Sequence, residues 1–155
     1  MSFFRELLQN YMFMAAAIGW FTAQLIKTLI DLRFNKEWNW ERMVGSGGMP
    51  SSHSSTVCAL MTAAALECGP ASHEFAICAF FAIIVMYDAR GVRRETGNQA
   101  VVLNQIMDYF SNEHPEKISF DEEKLKELIG HTPLQVLIGA ILGIVIGLAV
   151  YPLFY

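Results

Sequence analysis

Gly47-Gly48-Met49-Pro50-Ser51-Ser52-His53-Ser54-Ser55 stands immediately before the apolar run from Val57 to Leu66, and the fold follows from how that junction is read. Two glycines and a proline punctuate a loop, and serine is a preferred N-cap, so the stretch predicts a loop that delivers backbone N–H groups to a helix start near His53. A helix N-terminus presents unsatisfied donors at the positive end of its dipole, which suits a phosphate, and glycines let the backbone approach one closely. His53 adds a group that can pass a proton near neutral pH. The same residues also make an ordinary turn and cap, so the choice depends on what the rest of the chain brings to them.

Working outward, the setting is a membrane. The 155 residues are enough for one domain, 54% are hydrophobic, and the 17% that are charged gather in a few connecting segments. That pattern predicts an all-α integral membrane bundle of about four spans. A formal charge of −4 and the lack of a basic stripe among aromatics argue against nucleic acid as a partner. Cys58, Cys68 and Cys78 are odd in number, show no CxxC spacing and lie in or beside apolar segments, so they read as small buried hydrophobes. The chain shows no metal-ligand pattern and implies no cofactor.

The spans are expected at about 11–30, 53–67, 74–88 and 133–152, with a soluble insertion at about 108–130. Lys27 closes the first, either snorkelling to the interface or facing the bundle interior toward a ligand. A polar loop follows with Arg33, Arg42, Trp38 and Trp40, the tryptophans suiting the headgroup belt. The third span runs into Asp88-Ala89-Arg90-Gly91-Val92-Arg93-Arg94. Its arginines either anchor the positive side of the membrane or bind phosphate oxygens through guanidinium forks. Val102, Leu103, Ile106, Tyr109 and Phe110 then recur at helical intervals, predicting an interfacial amphipathic helix. Ser119 and Glu122 form a capping box for a short soluble helix.

The last span has its own start signal. Thr132, Pro133 and Gln135 make a capping box with proline at the first helical position. These three have a complete structural explanation, whereas His131, just before them at the positive end of a membrane helix, does not. There it is placed to meet an anion with its imidazole neutral and nucleophilic.

With these residues in view, Pro50-Ser51-Ser52-His53 resembles the PSGH motif of the type 2 phosphatidic acid phosphatase and vanadium haloperoxidase superfamily, and His131 with Gln135 resembles its HxxxD element. The segments GGMPSSHSS, DxxGVRRxxGxQA and GHTPxQV together resemble the divergent branch of that superfamily, over about Gln24 to Gly147. The resemblance implies that His131 attacks phosphorus to form a phosphohistidine and that His53 protonates the leaving group. It further implies that Lys27 and an arginine, Arg93 before Arg94, hold the phosphate without a metal. Arg42, Gly48, Ser51 and Ser52 complete the expected phosphate site. Two departures stand out. Lys27 is not followed by the arginine-proline pair of the superfamily's first motif, and Gln135 replaces the aspartate that orients the nucleophile, a role open to Asp88 instead. The expected activity is hydrolysis of a phosphomonoester or diphosphate on a lipid. The rivals are a phosphate-binding membrane protein without turnover and a vanadate-dependent peroxidase.

Apart from Arg5, every lysine and arginine lies at or after the ends of the first and third spans, which predicts that the motif-bearing loops face the cytoplasm. Four spans are few enough to admit a homodimer.

Overall fold

The computed structural model describes residues 2–36, 45, 47–113, 125 and 130–155, with backbone alone over 111–113. Trp38, Trp40, Arg42, Ser119 and Glu122, and with them the short soluble helix, lie outside the described residues. The described part is all-α. Helix α1 (Ser2–Gln9) leads into α2 (Tyr11–Asn35), followed by α3 (Ser52–Glu67), α4 (His73–Arg90), α5 (Val92–Glu113) and α6 (Pro133–Val150), with a closing 3₁₀ turn at Tyr151–Leu153. Starts are encoded locally: the side chains of Asn10, Ser51, Ser72 and Thr132 accept from the backbone N–H three residues on, at the heads of α2, α3, α4 and α6.

Helix α2 continues past the expected end at residue 30 to Asn35, and the GVRRETGNQA stretch is helical from Val92 rather than a loop. Among the described residues three stretches are long and apolar enough to cross a membrane: Tyr11–Asn35, one within His73–Phe110 where α4 leads into α5, and Pro133–Leu153. Helix α3 is the fourth member of the bundle. Its 16 residues rise about 24 Å, short of a hydrocarbon core of about 30 Å. It is enclosed by α2, α4 and α6, so protein rather than lipid meets most of its surface.

Small residues make that enclosure possible. Ser54, Ser55, Ala59, Ala63 and Ala64 on α3 are fully buried, and Gly139, Gly143 and Gly147 line the facing stripe of α6. A Cβ on Gly139 would run into the Ser51 carbonyl, and one on Gly143 into that of Ser55, while one on Gly147 would stand 2.7 Å from Thr62 Cβ. On the other side the Ser55 hydroxyl donates to the Gly19 carbonyl of α2 at 2.9 Å. Close backbone approach and hydrogen bonds between helices replace the hydrophobic drive that lipid removes. The consequence is positional: the first turns of α3 and α6 and the last turns of α2 and α4 meet at one end.

Candidate active site

Lys27 lies at the α2 side of this end, only 4% exposed. Its ammonium donates to Gln24 Oε1 at 2.7 Å and to the Gly45 carbonyl at 3.2 Å. Gly48 adopts a positive φ of 79°, and a Cβ there would press on the Lys27 chain at 3.3 Å. Glycine therefore serves both the backbone conformation and the fit of the loop over the lysine. Lys27 and Gly48 line an open cleft of about 350 Å³ together with Asp31, Phe34, Thr132 and Gln135.

The Ser51 hydroxyl is taken up inside the fold, as cap of Ser54 N–H at 3.4 Å and acceptor from the Ser54 hydroxyl at 3.1 Å. Its N–H donates to the Gln135 carbonyl at 3.1 Å, tying the head of α3 to that of α6. Ser52 is buried beside it. His53, in the first turn, reaches His131, the two rings lying edge to face with centroids 5.7 Å apart.

His131 is held from three directions. Its N–H donates to the Ala89 carbonyl in the last turn of α4 at 3.1 Å, its Nδ1 stands 3.3 Å from Gln135 Oε1, and Gly130 before it packs so closely on Arg94 that a Cβ would collide with that residue's backbone. The ring is 1% exposed. Two buried imidazole nitrogens, His131 Nε2 and His53 Nδ1, have no hydrogen-bond partner among the described residues. An unpaired buried polar atom costs about 1–3 kcal/mol, and these two belong to the pair of rings that meet edge to face.

A family model described as the divergent PAP2 family matches residues 8–146. The chain belongs to the divergent PAP2 family. An uncharacterized membrane protein, YuiD of Bacillus subtilis (strain 168), is 41% identical to it over 150 residues, which cover 92% of this chain and 95% of that protein. No solved structure matches the chain.

In this divergent PAP2 protein burial pushes the His131 imidazole below the usual histidine range. The hydrogen bond to Gln135 and the Gly48 backbone oppose the shift, while His53 and the Lys27 charge add to it. The charges of Arg93 and Lys27 also act on the His53 ring. Asp88 is not the group at His131 Nδ1: it pairs with Arg93 at 2.6 Å in an exposed ion pair, and Gln135 Oε1 stands at that nitrogen. Arg94 meets Gly130 through its backbone, with its side chain exposed. Among the described residues no three His, Cys, Asp or Glu side chains converge as a metal-ligand set.

Sequence reasoning overlooked the supports. Asn104, 4% exposed, accepts from the N–H of Leu125 at 3.1 Å and donates to its carbonyl at 3.0 Å. With Gly130 on Arg94, this clamp holds two described points of the chain after α5 against that helix. A lone asparagine at a helical interval gives no sign of a partner 21 residues on. The Ala89 carbonyl was missed for the same reason, because it matters only through a neighbour distant in sequence.

Proposed function

We propose that this membrane protein is a phosphatase that hydrolyses a phosphomonoester or diphosphate on a lipid through a phosphohistidine. His131 Nε2 attacks phosphorus as the bond to the leaving oxygen breaks, and His53 gives that oxygen its proton. Water then attacks phosphorus as the P–N bond breaks, passing a proton to His53 and releasing phosphate with both histidines restored. Lys27 and Arg93 supply positive charge to the phosphoryl oxygens, and Gln135 orients the nucleophile. The observation that carries this reading is the meeting of two imidazoles, each with an unpaired buried nitrogen, next to a buried lysine. A bound phosphate dianion favours the protonated form of His53, offsetting the neighbouring cations. The positive-inside pattern supports a site in the cytoplasmic leaflet.

Family membership and a membrane-protein relative support the relationship, and one specific feature favours a second reading. Gln135 cannot stabilise an imidazolium by charge, which suits a protein that binds phosphate without turnover. Phosphate release from phosphatidic acid and from an isoprenyl diphosphate, by purified protein in mixed micelles with and without orthovanadate, separates the two. Release that vanadate blocks and that His131→Ala lacks is the expected result. Saturable vanadate binding with no release from either substrate would leave only the binding protein.

A further inference from the structure

We infer that α1 is an interfacial helix lying in the headgroup layer on the membrane face opposite the candidate site, with Phe3, Phe4 and Leu8 turned into lipid and Arg5, Glu6 and Gln9 toward water. The partner it fits is the bilayer surface. With about 3.6 residues to a turn, Phe3, Phe4, Leu7 and Leu8 fall on one side of the helix and Ser2, Arg5, Glu6 and Gln9 on the other. No residue of α1 is buried. Leu7 is half-buried where α1 packs on α2, whereas Phe3 is 67% exposed, Phe4 73% and Leu8 61%. The fold leaves most of this apolar side uncovered.

An amphipathic helix suits a protein partner as well as a lipid surface, and the position of α1 decides between them. Asn10 is the one residue between α1 and α2, and consecutive Cα atoms are about 3.8 Å apart, so α1 ends within about 8 Å of the start of α2. Helix α2 is apolar from its first turn and carries no charge before Lys27, which sets that turn at the hydrocarbon boundary. Neighbouring aromatics mark the same level. Phe13 is exposed on the outside of the bundle, the Tyr11 ring packs on those of Tyr151 and Tyr155, and the Tyr155 hydroxyl donates to Glu67 at 3.0 Å. Rings on the apolar side and hydroxyls on the wet side are the pattern of a membrane–water belt.

Asn10 also turns the chain. Its φ of −79° and ψ of 105° are extended rather than helical. Its side chain accepts from Phe13 N–H at 2.9 Å to start α2, while its own N–H donates to the Leu7 carbonyl at 3.2 Å to finish α1. Helix α1 therefore leaves the α2 axis instead of prolonging it into water, where the apolar side would find no contact. At this depth a helix with one apolar and one polar side rests along the boundary. The single positive charge of Arg5 is balanced by Glu6, so apolar insertion rather than attraction to anionic headgroups holds it there. One end of α2 is thus fixed in depth by α1 while the other carries Lys27.

The test uses full-length protein in phosphatidylcholine vesicles, spin-labelled singly at Phe4→Cys, Arg5→Cys, Leu8→Cys or Gln9→Cys. All four side chains are exposed, so the labels replace no core contact. Cys68, the exposed native cysteine, is changed to serine throughout, and Cys58 and Cys78 are buried. Each label is read by its accessibility to oxygen, which concentrates in lipid, and to a water-soluble nickel chelate. The expected oxygen-to-nickel ratio is about threefold or more higher at the Phe4 and Leu8 positions than at Arg5 and Gln9, as for a helix with one face sunk about 5–10 Å into the boundary. The ratios should not change in vesicles enriched in phosphatidylglycerol. High nickel access at all four positions would put α1 in water and overturn the inference. Low access to both reagents at Phe4 and Leu8 would overturn it as well, because protein, a second copy or another chain, would then cover that side. A ratio that rises only in the anionic vesicles would show binding by charge and would likewise refute insertion.

Discussion

The two ends of the bundle are built from the same helices and treat polar groups in opposite ways. At the end away from the site, the Tyr11 hydroxyl donates to the Gly147 carbonyl at 2.6 Å and that of Tyr155 to Glu67 at 3.0 Å, and the rings of Tyr11, Tyr151 and Tyr155 pack on one another. The hydroxyls of Tyr11 and Tyr155 have partners there, and aromatic area adds to stability. At the site end, two imidazole nitrogens are buried unpaired and a lysine is buried beside them. The contrast separates a closure that holds the helices together from an end where two buried ring nitrogens lack partners among the described residues.

The largest effect belongs to His131. Replacing it with alanine should lower phosphate release by about a thousandfold or more while the melting temperature holds or rises, since a buried unpaired nitrogen goes with it. Phosphate or vanadate affinity should survive through Lys27. A His131→Ala protein that still turns over near the wild-type rate would end the comparison as one between structure and chemistry.

Next comes the element both ends share. Gly143→Ala forces a methyl into the Ser55 carbonyl, and overpacking of this kind costs about 1–3 kcal/mol. Helix propensity alone would make the change stabilising by about 1 kcal/mol, so the sign of the shift in detergent unfolding tells whether α3 and α6 are packed backbone to backbone.

Tyr11→Phe removes one satisfied hydroxyl at the far end, costing about 1 kcal/mol with turnover intact. A loss of rate without loss of stability would mean that the two ends are coupled. Asp88→Asn should have a smaller effect still on stability, an exposed ion pair being worth about 0.2–1 kcal/mol, and should change the rate less than tenfold. A hundredfold drop would return Asp88 to the orienting role that the geometry assigns to Gln135.

The smallest effect is in pH. The folded His131 titrates below its unfolded value, so its contribution to stability is fully present above about pH 6.5 and is lost as pH falls through the lowered folded value. Turnover that needs the neutral ring should likewise fall only on the acid side of that value. In melting curves taken from pH 8 to 5, the acid destabilisation should be weaker in His131→Ala, and curves that superimpose with the wild type would show that His131 bears no such linkage.

Much of this was legible because it is local. Caps act over three residues, so Ser51 before α3 and the Thr132, Pro133 and Gln135 start of α6 could be read in place, and apolar runs marked the bundle without any knowledge of packing. The pairing of His53 with His131 was legible only through motif resemblance, since nothing in the spacing of two residues so far apart says that they meet. The extent of α5 was not legible, because the GVRRETGNQA stretch is polar and glycine-containing, with little sign of the helix it forms.

By itself, then, the sequence determined an all-α membrane bundle and its helix starts, which follow from short-range hydrogen bonding and hydropathy. Only the tertiary structure decided that Gln135 rather than Asp88 faces His131, that Asn104 and Ala89 hold the returning chain, and that α3 lies enclosed among the other three helices. Those outcomes depend on backbone approaches at Gly130, Gly139 and Gly143, where the absence of a side chain lets one segment touch another. A missing side chain is plain in the sequence, but what fills its place is not.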